Sequence, residues 1–153
     1  MKISGYYIYN NVAITAFSVL AMLRLSSKIP LSKVALLMPI LLDDNIVGKM
    51  TNQKPTSFDS VITQNKVYLS NFNNRYDDLL PQVVNAISIL LDLNLVSLYG
   101  EYVISENAEK YESILSRCDS NRLKNICAVS SKLLKLVKDS DIVNDYRKLN
   151  IEL

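Results

Sequence analysis

Two carboxylate pairs, two cysteines and a row of lysines are the residues of this 153-residue chain whose types and spacing could do chemistry. The carboxylates are Asp43-Asp44 and Asp77-Asp78. Acid–base work by a shared-proton pair needs two carboxyl groups converging on one point. Adjacent residues on a helix point in different directions, so the favoured reading of both pairs is negative charge at a helix N-terminus. Cys118 and Cys127 lie nine residues apart in a stretch with a helical pattern. Two thiols cannot complete a zinc site, and the chain has no His to add ligands. They read as free thiols of a reducing compartment, with Cys127 buried. Lys132, Lys135 and Lys138 recur at a spacing that lines one helix face, where they could contact phosphates. An ordinary solvated helix face is the favoured alternative.

The rest of the catalytic repertoire is missing. Without His there is no Ser-His-Asp or Cys-His arrangement and no histidine general base. Gly5, Gly48 and Gly100 are isolated, so no glycine-rich loop cradles a phosphate. The nine tyrosines, with no Trp, could stack on bases: Tyr6, Tyr7 and Tyr9 cluster, and Tyr99 and Tyr102 flank a turn. Amphipathic edges of a core or an interface are their commoner place. No enzyme activity, cofactor, metal or small-molecule substrate is expected.

The elements that must position these residues are mostly helices. Hydrophobic residues make up 49% and charged residues 21%, the balance of a globular chain long enough to bury a core. Only 3 Gly and 4 Pro argue for few tight turns. Seventeen basic residues against 15 acidic neither demand nor exclude nucleic acid, because distribution outweighs the sum. Met1-Lys2 is followed by Tyr and Asn instead of an apolar leader, and no apolar run is long enough to span a bilayer, so cytoplasm is the expected compartment.

Asn10 or Asn11 can cap a first helix running to about Ser27. It is apolar almost all round, so it lies in a core or against a partner chain, the core being the commoner fate. Lys28-Ile29-Pro30 breaks it, and a second helix opens near Ser32, with a kink or fresh start expected at Pro39. A short segment follows Asp43-Asp44, then a loop at 51–59, then one or two helical turns within 58–72.

Residues 77–104 organise the chain. Leu80, Val83, Val84, Ile87, Leu90 and Leu91 fall on one helical face. The negative Asp77-Asp78 and Pro81 suit a first turn, so this helix is expected to begin there. Asn94 ends the pattern, and Val96, Leu98, Tyr102 and Ile104 predict two short strands about Gly100-Glu101. A long helix running into a tight hairpin predicts a winged helix-turn-helix. Helices are also expected at 105–116, with Tyr111, Ile114 and Leu115 inward, at 121–138, and over a turn or two near Ile142, Val143, Tyr146 and Leu149, ending in an extended tail.

The expected fold is therefore mainly α with a small β-hairpin: a winged helix-turn-helix-like domain with flanking N- and C-terminal helices. A single domain covers 1–153, with N-terminal helices in 1–50, a helix–helix–wing core in 57–104, and C-terminal helices and tail in 105–153. The helix of residues 77–93 would be the reading helix of a DNA-binding winged helix. It carries no Lys or Arg, only Arg75 before its start, and its hairpin offers Glu101 and no basic residue. That charge pattern is wrong for the major groove and points to protein contact.

With these residues in view, the chain resembles the middle components of three-component ABC-ATPase defence systems, the group that includes Lamassu-type anti-phage operons. The resemblance rests on ALLMPILLDD (35–44) after the first apolar helix, on the helix and hairpin AISILLDLNLVSLYGEYVIS (86–105), and on the ending KLLKLVKDSDIVNDYRKLNIEL (132–153). These are apolar patterns in matching order over nearly the whole length. The chain departs from the pattern at Leu134 and Leu136, where small and aromatic residues are common, and at Asn150, where the ending usually has Gly.

The resemblance implies a non-enzymatic adaptor between an SMC-like ABC ATPase and an effector, commonly a nuclease, with DNA reached through the complex. Its partner surfaces are expected on the apolar helices of 12–42 and on the tail, at Phe17, Leu20, Leu37, Ile40, Leu41, Ile142, Tyr146, Leu149 and Ile151. A DNA-binding winged-helix transcriptional regulator, dimeric through its N-terminal helices, is the competing expectation. An antitoxin-like inhibitor is a third.

Overall fold

A computed structural model of the chain describes residues 11–152. The Tyr6, Tyr7 and Tyr9 cluster, the alternative cap Asn10 and the terminal Leu153 lie outside the described residues.

Helix α1 spans Val12–Leu23, and the Asn11 side chain accepts from the Ile14 amide at its N-terminus. It ends four residues short of the expected Ser27, because the chain turns into strand β1, Lys28–Pro30. Helix α2, Leu31–Leu41, runs unbroken through Pro39. The expected fresh start there does not occur. Helix α3 spans Asp44–Asn52 and α4 spans Phe58–Gln64, the latter opened by a capping box between Ser57 and Ser60. Helix α5, Phe72–Asp92, is followed by strands β2, Val96–Tyr99, and β3, Tyr102–Ser105. Helices α6, Ala108–Ser116, α7, Asn121–Val137, and α8, Ile142–Lys148, complete the described chain.

The fold is mainly helical, with a small antiparallel sheet of three strands among the described residues, in the order β1-β3-β2. The expected hairpin is β2 and β3, with Tyr99 opposite Tyr102. Gly100 has φ +58° and Glu101 is not left-handed, the pattern of a type II′ turn. The third strand was not legible as one. Ile29 precedes a proline and is therefore biased to an extended backbone. It pairs with Val103, and β1 lies at a sheet edge, where proline is tolerated.

Helix α5 starts at Phe72, well before Asp77. The two carboxylates are exposed in its second turn, and Pro81 sits in its interior. The early start is secured by side chains the sequence pattern did not connect. Arg75 in the first turn pairs with Asp43 and donates to the Tyr68 carbonyl at 2.7 Å. Tyr76, one residue on, is buried. The buried face is Phe72, Tyr76, Leu79, Val83, Ala86, Ile87 and Leu90. Val84, expected inward, is exposed. Asn94 closes the helix in the left-handed region, φ +54°, with the Leu95 amide on the Leu90 carbonyl and the Asn94 amide on the Leu91 carbonyl. That is a Schellman motif with Asn in the place glycine usually holds.

The apolar N-terminal helices form the centre. Helix α1 packs on α5 and α7, and α2 packs on α5, α3 and α7. Helix α4 packs on α7, so the helices laid across α5 are α1 and α2 and not α4. In α6, Tyr111 and Leu115 are buried, but Ile114 is exposed. No described helix is long and apolar enough to cross a membrane.

Candidate partner-binding surfaces

A chain of this kind can meet a partner only through groups its own fold leaves over, and the apolar helices leave little. In α1 every residue from Phe17 to Leu23 is buried, and in α2 every residue from Lys33 to Leu41. Phe17 and Leu20 are buried, and Leu37, Ile40 and Leu41 are 0% exposed. These five expected partner contacts fill the chain's own core, because α1 is packed on α5 and α7 and α2 on α5, α3 and α7. Their burial stabilises the fold by about 1.5–3 kcal/mol for each large side chain, which leaves no side-chain surface for a second polypeptide.

The C-terminal contacts are placed differently. Ile142, Tyr146 and Ile151 line an open groove of about 420 Å³ with Tyr76, Val143 and Arg147. Tyr146 anchors it: its hydroxyl donates to the Ser32 carbonyl at 2.8 Å and meets the Tyr76 hydroxyl at 3.0 Å. Burial drives the Tyr146 pKa well above the ordinary tyrosine value, and the Tyr76 hydroxyl raises it further. Leu149 is buried beside a second groove of about 620 Å³. Asn150, where the family-like ending usually has Gly, adopts φ +53°. The Ile151 amide reaches the Tyr146 carbonyl and the Asn150 amide the Arg147 carbonyl, so this tail closes as a Schellman motif without glycine.

The three lysines of the expected row, two in α7 and Lys138 at its C-cap, part company. Lys132 donates to the carbonyls of Met50, Thr51 and Gln53 at 2.7, 2.9 and 2.9 Å. An ammonium has three donors, and all of them are spent on the open C-terminal carbonyls of α3. None remains for a phosphate. Lys135 and Lys138 are exposed and border a groove at the junction of α1, β1 and α7. The sequence reading missed Lys33, the one charged side chain in the apolar run of α2. It is buried, and its ammonium donates to the carbonyls of Val137, Lys138 and Ser140, closing the C-terminus of α7. A lone lysine in an apolar run is the signal that could have found it, since a buried cation must find acceptors.

The Asp43-Asp44 pair is structural. Asp43 caps α3, accepting from the amides of Asn45 and Ile46 at 3.0 and 3.1 Å, and pairs with Arg75. Asp44 pairs with Arg122 at 2.8 Å. Cys118 and Cys127 are both half-buried free thiols, so Cys127 is more open than expected. Burial raises its pKa, partly offset by Arg24 and reinforced by Cys118 and Glu112.

Helix α5 thus carries one basic residue, and that residue is held by a carboxylate and a carbonyl. The exposed flanks of the helix and hairpin are apolar at Val84, Ile89, Leu93, Leu98 and Tyr99.

No curated protein and no solved structure is similar enough to match the chain. Residues 12–153 match the model of a family described as the ABC-three component (ABC-3C) system Middle Component 3. The match takes in all of the described helices and strands, from α1 to α8. With its core, capped helix ends and tail lying within those limits, the chain belongs to the middle component 3 family of ABC-three component systems.

Proposed function

We propose that this chain is the non-enzymatic adaptor of a Lamassu-type anti-phage system, linking an SMC-like ABC ATPase to a nuclease effector. The observation that carries the reading is family membership as a middle component over residues 12–153. A middle component implies other components to contact. The reading is supported by charge. The one basic residue of α5 is spent on Asp43 and Tyr68, and Lys132 is spent on α3, so neither the long helix nor Lys132 offers a free cation to a duplex.

The adaptor is built on a winged helix-turn-helix frame. Support comes from the order α1–β1–α2–α5–β2–β3 together with the strand order β1-β3-β2, with α3 and α4 inserted before the long helix. In this frame α5 holds the place of the reading helix and presents apolar flanks to protein.

Co-expression with the other two components of its system tests the proposal. The expected result is a stable complex on affinity purification and size exclusion, with no duplex-DNA shift by the chain alone at any salt concentration. A chain that stays free of both components, or that alone shifts duplex DNA with a steep salt dependence, overturns it in favour of a DNA-binding regulator.

A further inference from the structure

The groove beside Lys135 and Lys138 has a makeup that the core, the helix caps and the α5 face do not account for. It has a volume of about 270 Å³ and sits where α1 hands over to β1, against α7. Its floor is apolar: Leu25, Ile29 and Leu134. Leu25 is 45% exposed, two residues past the buried end of α1 at Leu23. Its rim is basic: Lys28, Lys135 and Lys138. No acidic side chain is among its described lining residues.

Two features set this rim apart from an ordinary solvated face. Arg24 lies by Glu112 and Lys148 by Asp59, whereas this groove gathers three lysines with no acid among its described lining residues. Lys28, Lys135 and Lys138 have no ion-pair partner among the described residues. Lys28 instead lies over the Tyr102 ring, 5.0 Å from its centroid. Beneath them Lys33 adds a buried positive charge answered only by carbonyl oxygens. The groove is therefore an apolar slot in a field of one sign, which attracts the opposite charge and rejects its own.

We infer that this groove docks an acidic amphipathic segment of one of the two partner components. An aliphatic or aromatic side chain of that segment packs against Leu25, the exposed apolar side chain of the groove. Asp or Glu residues beside it meet Lys28, Lys135 and Lys138. A nucleic-acid backbone would use the lysines and leave the apolar floor bare, so the floor favours a polypeptide. The inference rests on the adaptor reading and names the surface and the partner chemistry through which it works.

The experiment uses the full chain co-expressed with its two partner components. A photo-crosslinking amino acid replaces Leu25, and the captured peptide is sequenced. In parallel, the variant K28E/K135E/K138E and the variant Leu25→Asp are purified with the same partners. All four side chains are solvent-accessible, and circular dichroism confirms that each variant is folded. The expected result is a crosslink to a segment with an apolar residue flanked by Asp or Glu, and at least a tenfold loss of co-purified partner in both variants. Reversing those acids to Lys in the partner restores binding to the lysine-reversed chain. An intact complex in both variants overturns the inference and leaves the adaptor reading standing. So does a crosslink to nucleic acid or to a segment without acids. If the unsubstituted chain assembles with neither component, the adaptor reading falls and this inference with it.

Discussion

Tyr76 in α5 and Tyr146 in α8 meet hydroxyl to hydroxyl at 3.0 Å, their rings crossing edge to face at a centroid distance of 5.7 Å. They are 70 residues apart in sequence, and their contact holds the C-terminal helix to the long one. The proton of Tyr146 goes to the Ser32 carbonyl, so Tyr76 must donate to Tyr146. Tyr146→Phe removes both bonds and strands a carbonyl and a hydroxyl, at a cost of about 2 kcal/mol. Tyr76→Phe removes one bond and costs about 1 kcal/mol. Urea unfolding reads both, and the double variant should cost less than the sum because the sites share a partner. Equal costs would mean that the direction of donation is wrong.

Alkaline pH should destabilise the fold. Burial raises the pKa of Tyr146, of Tyr111 and of Cys127 above their ordinary values. The Tyr111 hydroxyl is also held by the Leu95 carbonyl. For each group the folded state favours the protonated form. The stability this contributes is complete below the unfolded pKa, near 8.5 for Cys and 10 for Tyr, and is lost as pH climbs beyond it. Melting temperature should hold steady to about pH 8.5 and fall steeply above about pH 10. Tyr146→Phe should flatten the upper part of that decline. A melting temperature that is level through pH 11 would refute the burial of these hydroxyls.

Lys33→Met should be among the most destabilising single changes in α2. It takes the ammonium from the carbonyls of Val137, Lys138 and Ser140 at the negative end of the α7 dipole, of which Val137 keeps the Ser140 amide and hydroxyl as donors. The expected loss is about 2–3 kcal/mol in denaturant unfolding. Lys33→Arg should not restore it, because a planar fork cannot point at three converging oxygens as an ammonium does. Full recovery by Arg would contradict the capping geometry.

Lys132, Lys135 and Lys138 should separate in stability as they do in structure. Lys132→Met uncaps α3 and should cost about 1–2 kcal/mol. Lys135→Met and Lys138→Met, on exposed positions, should stay within about 0.5 kcal/mol of the parent. Similar behaviour at all three positions would mean that Lys132 does not close α3.

Asn94 and Asn150 terminate α5 and α8 with φ of +54° and +53°. Glycine at either position should be neutral within a few tenths of a kcal/mol, and alanine should cost about 1 kcal/mol, since it has a Cβ that glycine lacks and no polar side chain, as asparagine has, to offset the left-handed backbone. Thermal melts of the four variants check this. Alanine variants as stable as glycine ones would place the helix ends elsewhere.

The chain's local patterns already determine a good deal. Spacing and caps mark α1, α2, α7 and the hairpin about Gly100, because helix and strand periods are properties of neighbouring residues. The near absence of Lys and Arg along α5 is a fact of composition that no folding can change. What those patterns leave open is where each face goes. Leu37, Ile40 and Leu41 are equally apolar whether they meet α5 or another protein, and only the packing of α2 against α5, α3 and α7 puts them inside. Strand β1 exists because β3 is there to pair with it. The start of α5 at Phe72 goes with the reach of Arg75 to Asp43, 32 residues back. Lys132 reads as one of three like lysines until its ammonium finds carbonyls about 80 residues away. Hydrogen bonds and burial between distant segments depend on chain paths, and those follow from the energy of the whole core; hence the tertiary structure alone separates a helix cap from a free charge and a core side chain from a docking one.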